Sequence, residues 1–339
     1  MLERAGFLLD SARMTIDPFT EVLSLTNAEA VVTGGFTAGG PWAIRFPARE
    51  KIKFFAVVKG NCWVTLDGVP EPIFFETGDV GLLSVPRGSI VASAPDIEPI
   101  GAMELFSGKG RNLATIGDGN DFAYIGGHVL LDPIRGRLIA DILPPWIHTR
   151  GDSSHAVVFR WLLDRLIEER DAGQPGAQLA SAQLTQLLFI QILRSYLDTA
   201  SVMPAGWLRA LGDPRIAPAL RLMHGEPARS WHLEELAKAC AMSRTSFAFH
   251  FRTVAGLAPL TYLGEWRMHL AERSLRDERT PVAVVARSLG YRSESAFSNA
   301  FKRFSGKSPT SYRASLGDLA VNSSSRSFPD RPQGAVSDG

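Results

Sequence analysis

The amino-acid sequence predicts an α+β protein of two domains, an N-terminal β-barrel with a helical pair and a C-terminal all-α domain. Short apolar runs separated by turn residues fill residues 29–105, which is typical of closely spaced strands. A helical apolar period replaces this pattern over residues 149–200. Further on, residues 236–262 and 285–312 nearly repeat one another, and most matching positions lie fifty residues apart. Strands, two helices and a duplicated helical unit therefore follow one another along the chain.

The size and composition of the chain suit a globular protein. Its 339 residues are 45% hydrophobic and 21% charged, which is enough to build two cores. No run approaches the roughly 20 apolar residues of a membrane span, and the apolar stretch at the N-terminus is too short for a signal peptide. Cys62 and Cys240 lack the spacing of a metal site or a disulfide and are interpreted as buried small hydrophobes. We expect a cytoplasmic protein without a membrane partner.

The overall net charge of +1 conceals an asymmetry along the chain. Residues 216–316 carry 15 Lys and Arg against 8 Asp and Glu, a net charge of +7, whereas the remainder carries −6. A basic C-terminal third beside an acidic remainder indicates that the C-terminal domain is the part that meets a polyanion.

In the N-terminal part, apolar runs at residues 54–58, 62–66 and 80–83 alternate with turn sequences such as Thr77-Gly78-Asp79. Their close spacing without intervening helices predicts an antiparallel sandwich or barrel.

The helical pair that follows shows two apolar stripes interrupted at residues 173–176. The members of the stripes are Val157, Trp161, Leu162, Leu166 and Ile167, and then Leu184, Leu187, Leu188, Ile190, Gln191, Leu193 and Leu197. Two antiparallel helices could cover the barrel, pair with a second subunit, or do both. We expect them, over residues 154–199, to form the interface of a homodimer.

These patterns divide the chain into four segments. Residues 1–205 are expected to form the barrel domain with its helices, and residues 206–215 a linker marked by Gly and Pro. Residues 216–316 would form the all-α domain, and residues 317–339 a disordered tail rich in Ser, Pro and Gly.

The first repeat predicts a helix-turn-helix, with a supporting helix over residues 233–241 and a second helix over residues 244–254. Ser243 is placed to cap that second helix and Gly256 to end it. Phe247 and Phe251 lie four residues apart, so both should face the interior. The outward side chains, expected to contact DNA, are Arg244, Thr245, Ser246, Ala248, Phe249, His250 and Arg252.

The second repeat has the same plan, with a supporting helix over residues 282–288 and a second helix over residues 293–304 that begins at Ser293. Phe297, Phe301 and Phe304 should face inward. The outward set is Glu294, Ser295, Ser298, Asn299, Lys302 and Arg303. In a helix-turn-helix, the first turns of the second helix contact base edges while basic and hydroxyl groups contact phosphates.

A single helix is predicted between the repeats, over residues 260–278. It would be about 28 Å long, and one turn of B-DNA is roughly 34 Å. The two reading helices should therefore lie about one turn apart on the same face of the duplex.

The C-terminal third resembles the AraC/XylS family of bacterial transcription regulators over about 100 residues. The resemblance lies in Ala286-x-x-Leu289-Gly290-Tyr291, in Phe301-Lys302-Arg303 and in the Gly-x-x-Pro sequences that begin at Gly256 and Gly306. It implies a sequence-specific regulator, more often an activator, with promoter DNA and RNA polymerase as partners and the bacterial nucleoid as its location when DNA-bound. Phe249 and Glu294 depart from the polar or basic residues that are common at such positions. Phe249 could contact thymine methyls or turn inward, and Glu294 could accept from a cytosine amino group or favour the helix dipole.

The strand-rich part is similar to the cupin-like sensor domains that precede many such DNA-binding domains, through Gly60-x-Cys62-Trp63, Gly78-Asp79 and Pro86-x-Gly88. A metal-dependent cupin enzyme needs a His-x-His pair, a Glu and a later His. Up to residue 155 only three scattered histidines occur, His128, His148 and His155. We therefore expect no metal, no cofactor and no enzymatic activity.

The remaining role for the barrel is a small-molecule effector site in its mouth. The candidate contacts are Trp42, Phe55, Trp63 and His128, although the aromatic residues could equally be ordinary core and His128 could bond locally. The identity of the effector is unknown from the sequence. Two alternatives stay open, a regulator whose barrel only dimerises or binds a protein antagonist, and an enzyme fused to a DNA-binding domain.

Overall fold

The computed structural model describes residues 17–26, 28–48, 51–106, 113–119, 121–131, 143–172, 174–199, 203–277 and 279–315. The chain divides into two compact units. Among the described residues, the N-terminal unit spans 19–212 and the C-terminal unit spans 213–315. The tail expected over residues 317–339 lies outside the described residues.

The N-terminal unit begins with helix α1 (Pro18–Leu25), and strands then follow in close succession. The strands are β1 (Glu29–Ala38), β2 (Ala43–Phe46), β3 (Ile52–Lys59), β4 (Asn61–Leu66), β5 (Ile73–Glu76), β6 (Val80–Leu83), β7 (Ser89–Ala92), β8 (Ile100–Gly101), β9 (Leu113–Ile116), β10 (Phe122–Leu130) and β11 (Trp146–Thr149), with the short helix α2 (Ala102–Leu105) after β8.

These strands form two sheets that enclose an apolar core. One sheet has the order β11-β6-β3-β10-β1-β9 and the other β5-β4-β7-β2-β8. Among the described strands, every pair is antiparallel except β1 with β9 and β2 with β8. Alternate side chains, such as Cys62, Val64 and Leu66 of β4, are buried while their neighbours are not, as a strand with one covered face requires. The predicted β architecture is confirmed.

Two helices, α3 (Ala156–Ala172) and α4 (Ala177–Thr199), complete the cover of this unit. Helix α4 packs against β1, where the Gln186 side chain donates to the Ala28 carbonyl and accepts from the Ala30 amide, both at 2.9 Å. The buried face of α3 is formed by Phe159, Leu162, Leu163 and Leu166.

The stripe predicted for α3 is therefore wrong in part. Val157 and Trp161 are 76% and 52% exposed, because Phe159 and Leu163 complete the face that covers the core. Helix α3 therefore carries two apolar faces, one buried against the core and one exposed.

The segment expected to be a linker, residues 206–215, contains helix α5 (Trp207–Gly212). This helix packs against α4 and buries Leu208 and Ala210. The burial of these side chains explains why the segment is helical, and the compact unit extends to Gly212.

The C-terminal unit is helical. Its helices are α6 (Ala217–Gly225), α7 (Leu233–Ala239), α8 (Arg244–Ala255), α9 (Pro259–Ser274), α10 (Val282–Ser288) and α11 (Glu294–Ser305), and residues 309–315 are helical as well. No helix within the described ranges combines the length and apolar character needed to cross a bilayer.

A buried carboxylate, Asp79, ties the β5–β6 turn to the end of β11. Its Oδ2 lies 2.8 Å from Nε2 of His148 and accepts from the Glu76 amide at 3.1 Å, while Oδ1 accepts from the Gly151 amide at 2.6 Å. Burial alone would raise the pKa of Asp79, but the hydrogen bonds from His148, Gly151 and Glu76 outweigh it, so the pKa lies below its ordinary value.

We expect Asp79→Asn to lower the melting temperature near neutral pH, and this deficit to shrink as the pH is lowered. A carboxyl whose pKa is depressed in the folded state stabilises the fold above its unfolded pKa of about 4 and loses that contribution as the pH falls through the folded value. Thermal melts of both proteins between pH 7 and pH 3 measure this. The exposed Asp96→Asn is the matched control. A deficit that stays constant across this range would contradict the prediction.

Candidate nucleic-acid interface

The first helix-turn-helix is formed by α7 and α8. The hydroxyl of Ser243 accepts from the Ser246 amide at 3.2 Å and caps α8, and Gly256 ends this helix with a φ of 78°. Phe247 and Phe251 are fully buried with ring centroids 5.6 Å apart. The predicted cap, helix end and inward anchors are confirmed. The supporting helix ends at Ala239, two residues early, because the turn contains a left-handed residue, Ala241, with a φ of 52°.

The second helix-turn-helix, α10 and α11, repeats these features. Ser293 caps α11 by accepting from the Ala296 amide at 3.2 Å, and Gly306 ends it with a φ of 75°. Phe297 and Phe301 are fully buried, and the half-buried Phe304 packs edge-on against His269.

The left-handed turn residue of the second unit is Gly290, with a φ of 82°. It lies forty-nine positions after Ala241, whereas the two capping serines are fifty positions apart. The extra residue of the second repeat thus enters between the turn residue and the cap. A Cβ at Gly290 would also collide with the Ala228 carbonyl, so this position requires glycine for space as well as for conformation.

Most of the predicted contact residues lie on the outer faces of α8 and α11. The exposed members are Arg244, Thr245, Ser246, Phe249, Arg252, Glu294, Ser295, Asn299, Lys302 and Arg303, and Ala248 and Ser298 are half-buried. Of the two possibilities for Phe249, the structure has the outward one, with the side chain 74% exposed. The Ser246 hydroxyl lies 2.9 Å from the Ser243 hydroxyl and so takes part in the cap.

His250, also predicted as a DNA contact, is mostly turned away from this outer face. Its Nε2 lies 2.9 Å from Oδ2 of Asp213, and both side chains are largely buried, at 20% and 17% exposure. His250 follows the buried Phe247 by three residues, which places the two side chains on neighbouring faces of α8. The three-residue spacing from Phe247 is the feature of the sequence that indicates an inward placement of His250. Its contact with Asp213 holds α8 to the segment before α6.

Two arginines that had no assigned role hold the loops in front of the supporting helices. Arg267 donates from Nε to the Pro227 carbonyl at 2.6 Å and from Nη2 to the Arg229 carbonyl at 2.8 Å. Burial lowers the pKa of Arg267.

Arg313 does the same for the second unit. It donates from Nε to the Leu275 carbonyl at 3.2 Å and from Nη2 to the Thr280 carbonyl at 2.6 Å. Each guanidinium therefore joins a loop of its own unit to the helix that follows the reading helix.

Helix α9, between the two units, has 16 residues and is about 24 Å long. The prediction of a helix over residues 260–278 was too long at its C-terminal end. Residues 275–277 and 279–280 form turns and bends, where Asp277 accepts from the Arg279 amide and the Thr280 hydroxyl.

The N-terminal unit contains a cavity of about 500 Å³ between its two sheets. Phe55 and His128, two of the four predicted ligand contacts, line it. Trp42 packs instead in the core between Phe36 and Phe122, with ring centroids at 5.2 Å and 4.6 Å.

Trp63 is also placed differently from its prediction. Its ring packs at a tilt against Phe74, with ring centroids 5.0 Å apart, on the opposite face of β4 from the buried Cys62 and Val64. Strand alternation puts successive side chains on opposite faces, and the apolar run at residues 62–66 concealed which face was inside.

Comparisons with known proteins match both units. Residues 17–198 match a family model described as Cupin, and residues 236–315 match one described as a helix-turn-helix domain. A relative from Streptomyces lividans, named as an AraC-like transcription regulator, is 37% identical over 298 residues, which are 88% of this chain and 98% of the relative. The transcriptional regulator AlkR of Acinetobacter baylyi is 29% identical over 81% of this chain and 91% of its own length. Among solved structures, the DNA-binding domain of AdpA in complex with a target DNA is 31% identical, with a TM-score of 0.31, over 32% of this chain and 98% of that one.

We expect His250→Ala to lower the melting temperature while leaving the preferred DNA sequence unchanged, because His250 holds α8 to Asp213 and does not face outward. Asp213→Asn should shift stability in the same direction. Thermal melts and selection from a random DNA pool measure the two effects. A changed base preference at unaltered stability would contradict this placement of His250.

Proposed function

The chain belongs to the AraC family of DNA-binding transcription regulators, and from that premise we propose that α8 and α11 read two places on one promoter duplex. The regulator is not an enzyme, since its relatives are transcription regulators. We further propose that it activates transcription by contacting RNA polymerase, in response to a small molecule in the N-terminal cavity. Its site of action would be the cytoplasm, on the nucleoid when bound to DNA.

The observation that carries this proposal is the outer face of α11. Ser295, Asn299 and Lys302 follow one another at helical spacing and are all exposed, while Phe297 and Phe301 anchor the opposite face. Asparagine can pair with both polar groups of an adenine edge in the major groove, and lysine can neutralise a phosphate. We assign base reading to Asn299 and Ser295, and phosphate binding to Lys302 and Arg303.

Helix α8 carries outward side chains of different chemistry at the positions that correspond to those of α11. With the offset of fifty residues, Thr245 matches Ser295, Phe249 matches Asn299, and Arg252 matches Lys302. Phe249 is exposed at the position where the second reader has an amide, and an apolar ring can contact the methyl group of thymine. We propose that α8 selects thymine-containing steps, while Arg244 and Arg252 contact phosphates.

An exposed apolar patch on α3 supports a homodimer through the helical pair. Val157 and Trp161 lie one turn apart on α3 and remain exposed in a single chain. Large apolar side chains in such positions often mark protein interfaces, and a second copy of the same patch would cover them about a twofold axis.

For DNA binding, we expect Asn299→Ala to weaken operator affinity and to relax base preference, by about 1–3 kcal/mol of discrimination at one position. Lys302→Ala should weaken binding to all sequences alike and reduce the salt slope by about one. Anisotropy titrations of an operator selected from promoter fragments measure both effects. Lys59→Ala, in the N-terminal unit, is the matched control. Wild-type affinity in both variants would overturn the assignment of α11.

For the homodimer, we expect Trp161→Glu to produce a monomer, because two buried carboxylates would oppose each other near the proposed axis. Sedimentation velocity measures the change in mass. Leu113→Glu, at an exposed leucine of β9, should leave the dimer intact. Equal masses for the wild type and Trp161→Glu would contradict an interface at this patch.

A further inference from the structure

We infer that the N-terminal cavity binds a neutral, flat apolar molecule that carries a hydrogen-bond acceptor, of the class of the aromatic ketones. This inference rests on the proposed effector site and names the chemical class of its ligand. The volume of about 500 Å³ lies within the usual range for small-molecule sites, and apolar side chains and glycines form most of the lining.

The charged groups of the lining favour a neutral ligand. Lys53 donates to the Pro47 carbonyl at 2.5 Å. The exposed Lys51 has its Nζ in solvent, 3.3 Å from Nε2 of His128. An anion in the cavity would therefore lose its hydration without meeting an uncompensated cation. A cation would find no carboxylate either, since none of the described lining residues is Asp or Glu. Burial of an unpaired charge is costly, so a neutral molecule fits best.

One wall of the cavity is a row of nearly parallel rings. Tyr124 stacks between Phe55, with ring centroids 5.5 Å apart at 15°, and Phe46, with ring centroids 5.9 Å apart at 19°. Flat walls of this kind favour a flat ligand, because offset stacking adds to the free energy of burying apolar area.

The hydroxyl of Tyr124 is the polar group that such a ligand would meet beside these rings. Among the described residues it has no hydrogen-bond partner. Burial raises the pKa of Tyr124, so the phenol stays protonated and able to donate. A donor that is removed from water without an acceptor costs free energy, so a ligand that covers this hydroxyl should supply an acceptor.

A glycine keeps this hydroxyl uncovered. A Cβ at Gly126 would lie 2.9 Å from a ring carbon of Tyr124 and 3.2 Å from its hydroxyl oxygen. Across the strand pair, the partner of Gly126 is Gly34 of β1, and both glycines line the cavity. A free donor, a flat apolar wall and open space therefore meet on β10, and a flat ring with a carbonyl oxygen matches all three.

The acceptor is tested with the full-length protein and equilibrium dialysis of two probes. They are 2-acetonaphthone, a flat neutral ketone, and 2-isopropenylnaphthalene, in which a methylene group replaces the carbonyl oxygen. Tyr124→Phe keeps the ring and removes the hydroxyl. We expect this variant to bind the ketone about fivefold more weakly, the value of one neutral hydrogen bond, and the hydrocarbon with unchanged affinity. Tyr196→Phe, at a half-buried tyrosine of α4 outside the cavity lining, is the matched control and should bind both probes as the wild type does.

The flat shape is tested with 2-dodecanone, a flexible ketone that has as many carbon atoms as 2-acetonaphthone. Phe46→Leu keeps an apolar side chain and removes one ring of the row. We expect it to weaken binding of the flat ketone about threefold and to leave the flexible one unchanged, because only the flat ketone stacks on the row.

Three results would each overturn one property of the ligand class. Equal losses for the ketone and the hydrocarbon in Tyr124→Phe, or no loss, would overturn the acceptor. Equal losses for the two ketones in Phe46→Leu, or none, would overturn the flat shape. Tighter binding of 2-naphthoate than of 2-acetonaphthone would overturn the neutral charge. Failure of all probes to bind a protein that still binds its operator would overturn the inference as a whole.

Operator affinity with and without 2-acetonaphthone separates this inference from the effector role. Ketone binding that depends on Tyr124, but leaves operator affinity unchanged, would contradict the effector role for such ligands and leave the ligand class standing.

Discussion

The burial of two phenylalanine pairs is the constraint on which the C-terminal unit depends. Phe247 with Phe251, and Phe297 with Phe301, are each four residues apart and fully buried. Because they lie on one side of α8 and α11, the opposite side of each helix must face outward. Truncating any one of these rings would cost about 3–5 kcal/mol. The same side chains thus stabilise the fold and determine which faces of α8 and α11 point outward.

Besides helix α9, direct contacts of one loop join the two helix-turn-helix units. Arg267 holds the carbonyls of Pro227 and Arg229, and the carbonyl between them, that of Ala228, lies against Gly290 in the turn of the second unit. One short loop therefore contacts both the helix that follows the first reader and the turn that precedes the second. This contact restricts the relative movement of α8 and α11 more than a single connecting helix would.

Local chemistry made much of this structure predictable, and tertiary packing accounts for the rest. Ser243 and Ser293 cap helices through bonds to amides three residues away, so their roles follow from neighbouring sequence. His250 and Trp63 depend on partners that are distant or on the other side of a sheet, and an apolar or helical pattern does not identify them. The cavity likewise arises from strands far apart in sequence, so the strand pattern alone does not show which aromatic side chains line it.

The exposed Phe249 has a consequence for how the protein lies along its target. It occupies the position that corresponds to Asn299, so the two halves of the duplicated unit present dissimilar surfaces. Halves that differ in this way cannot exchange places on a duplex without losing their contacts. On the proposed assignment of α8 and α11, the binding site for one chain would be a sequence without internal symmetry, bound in a single direction.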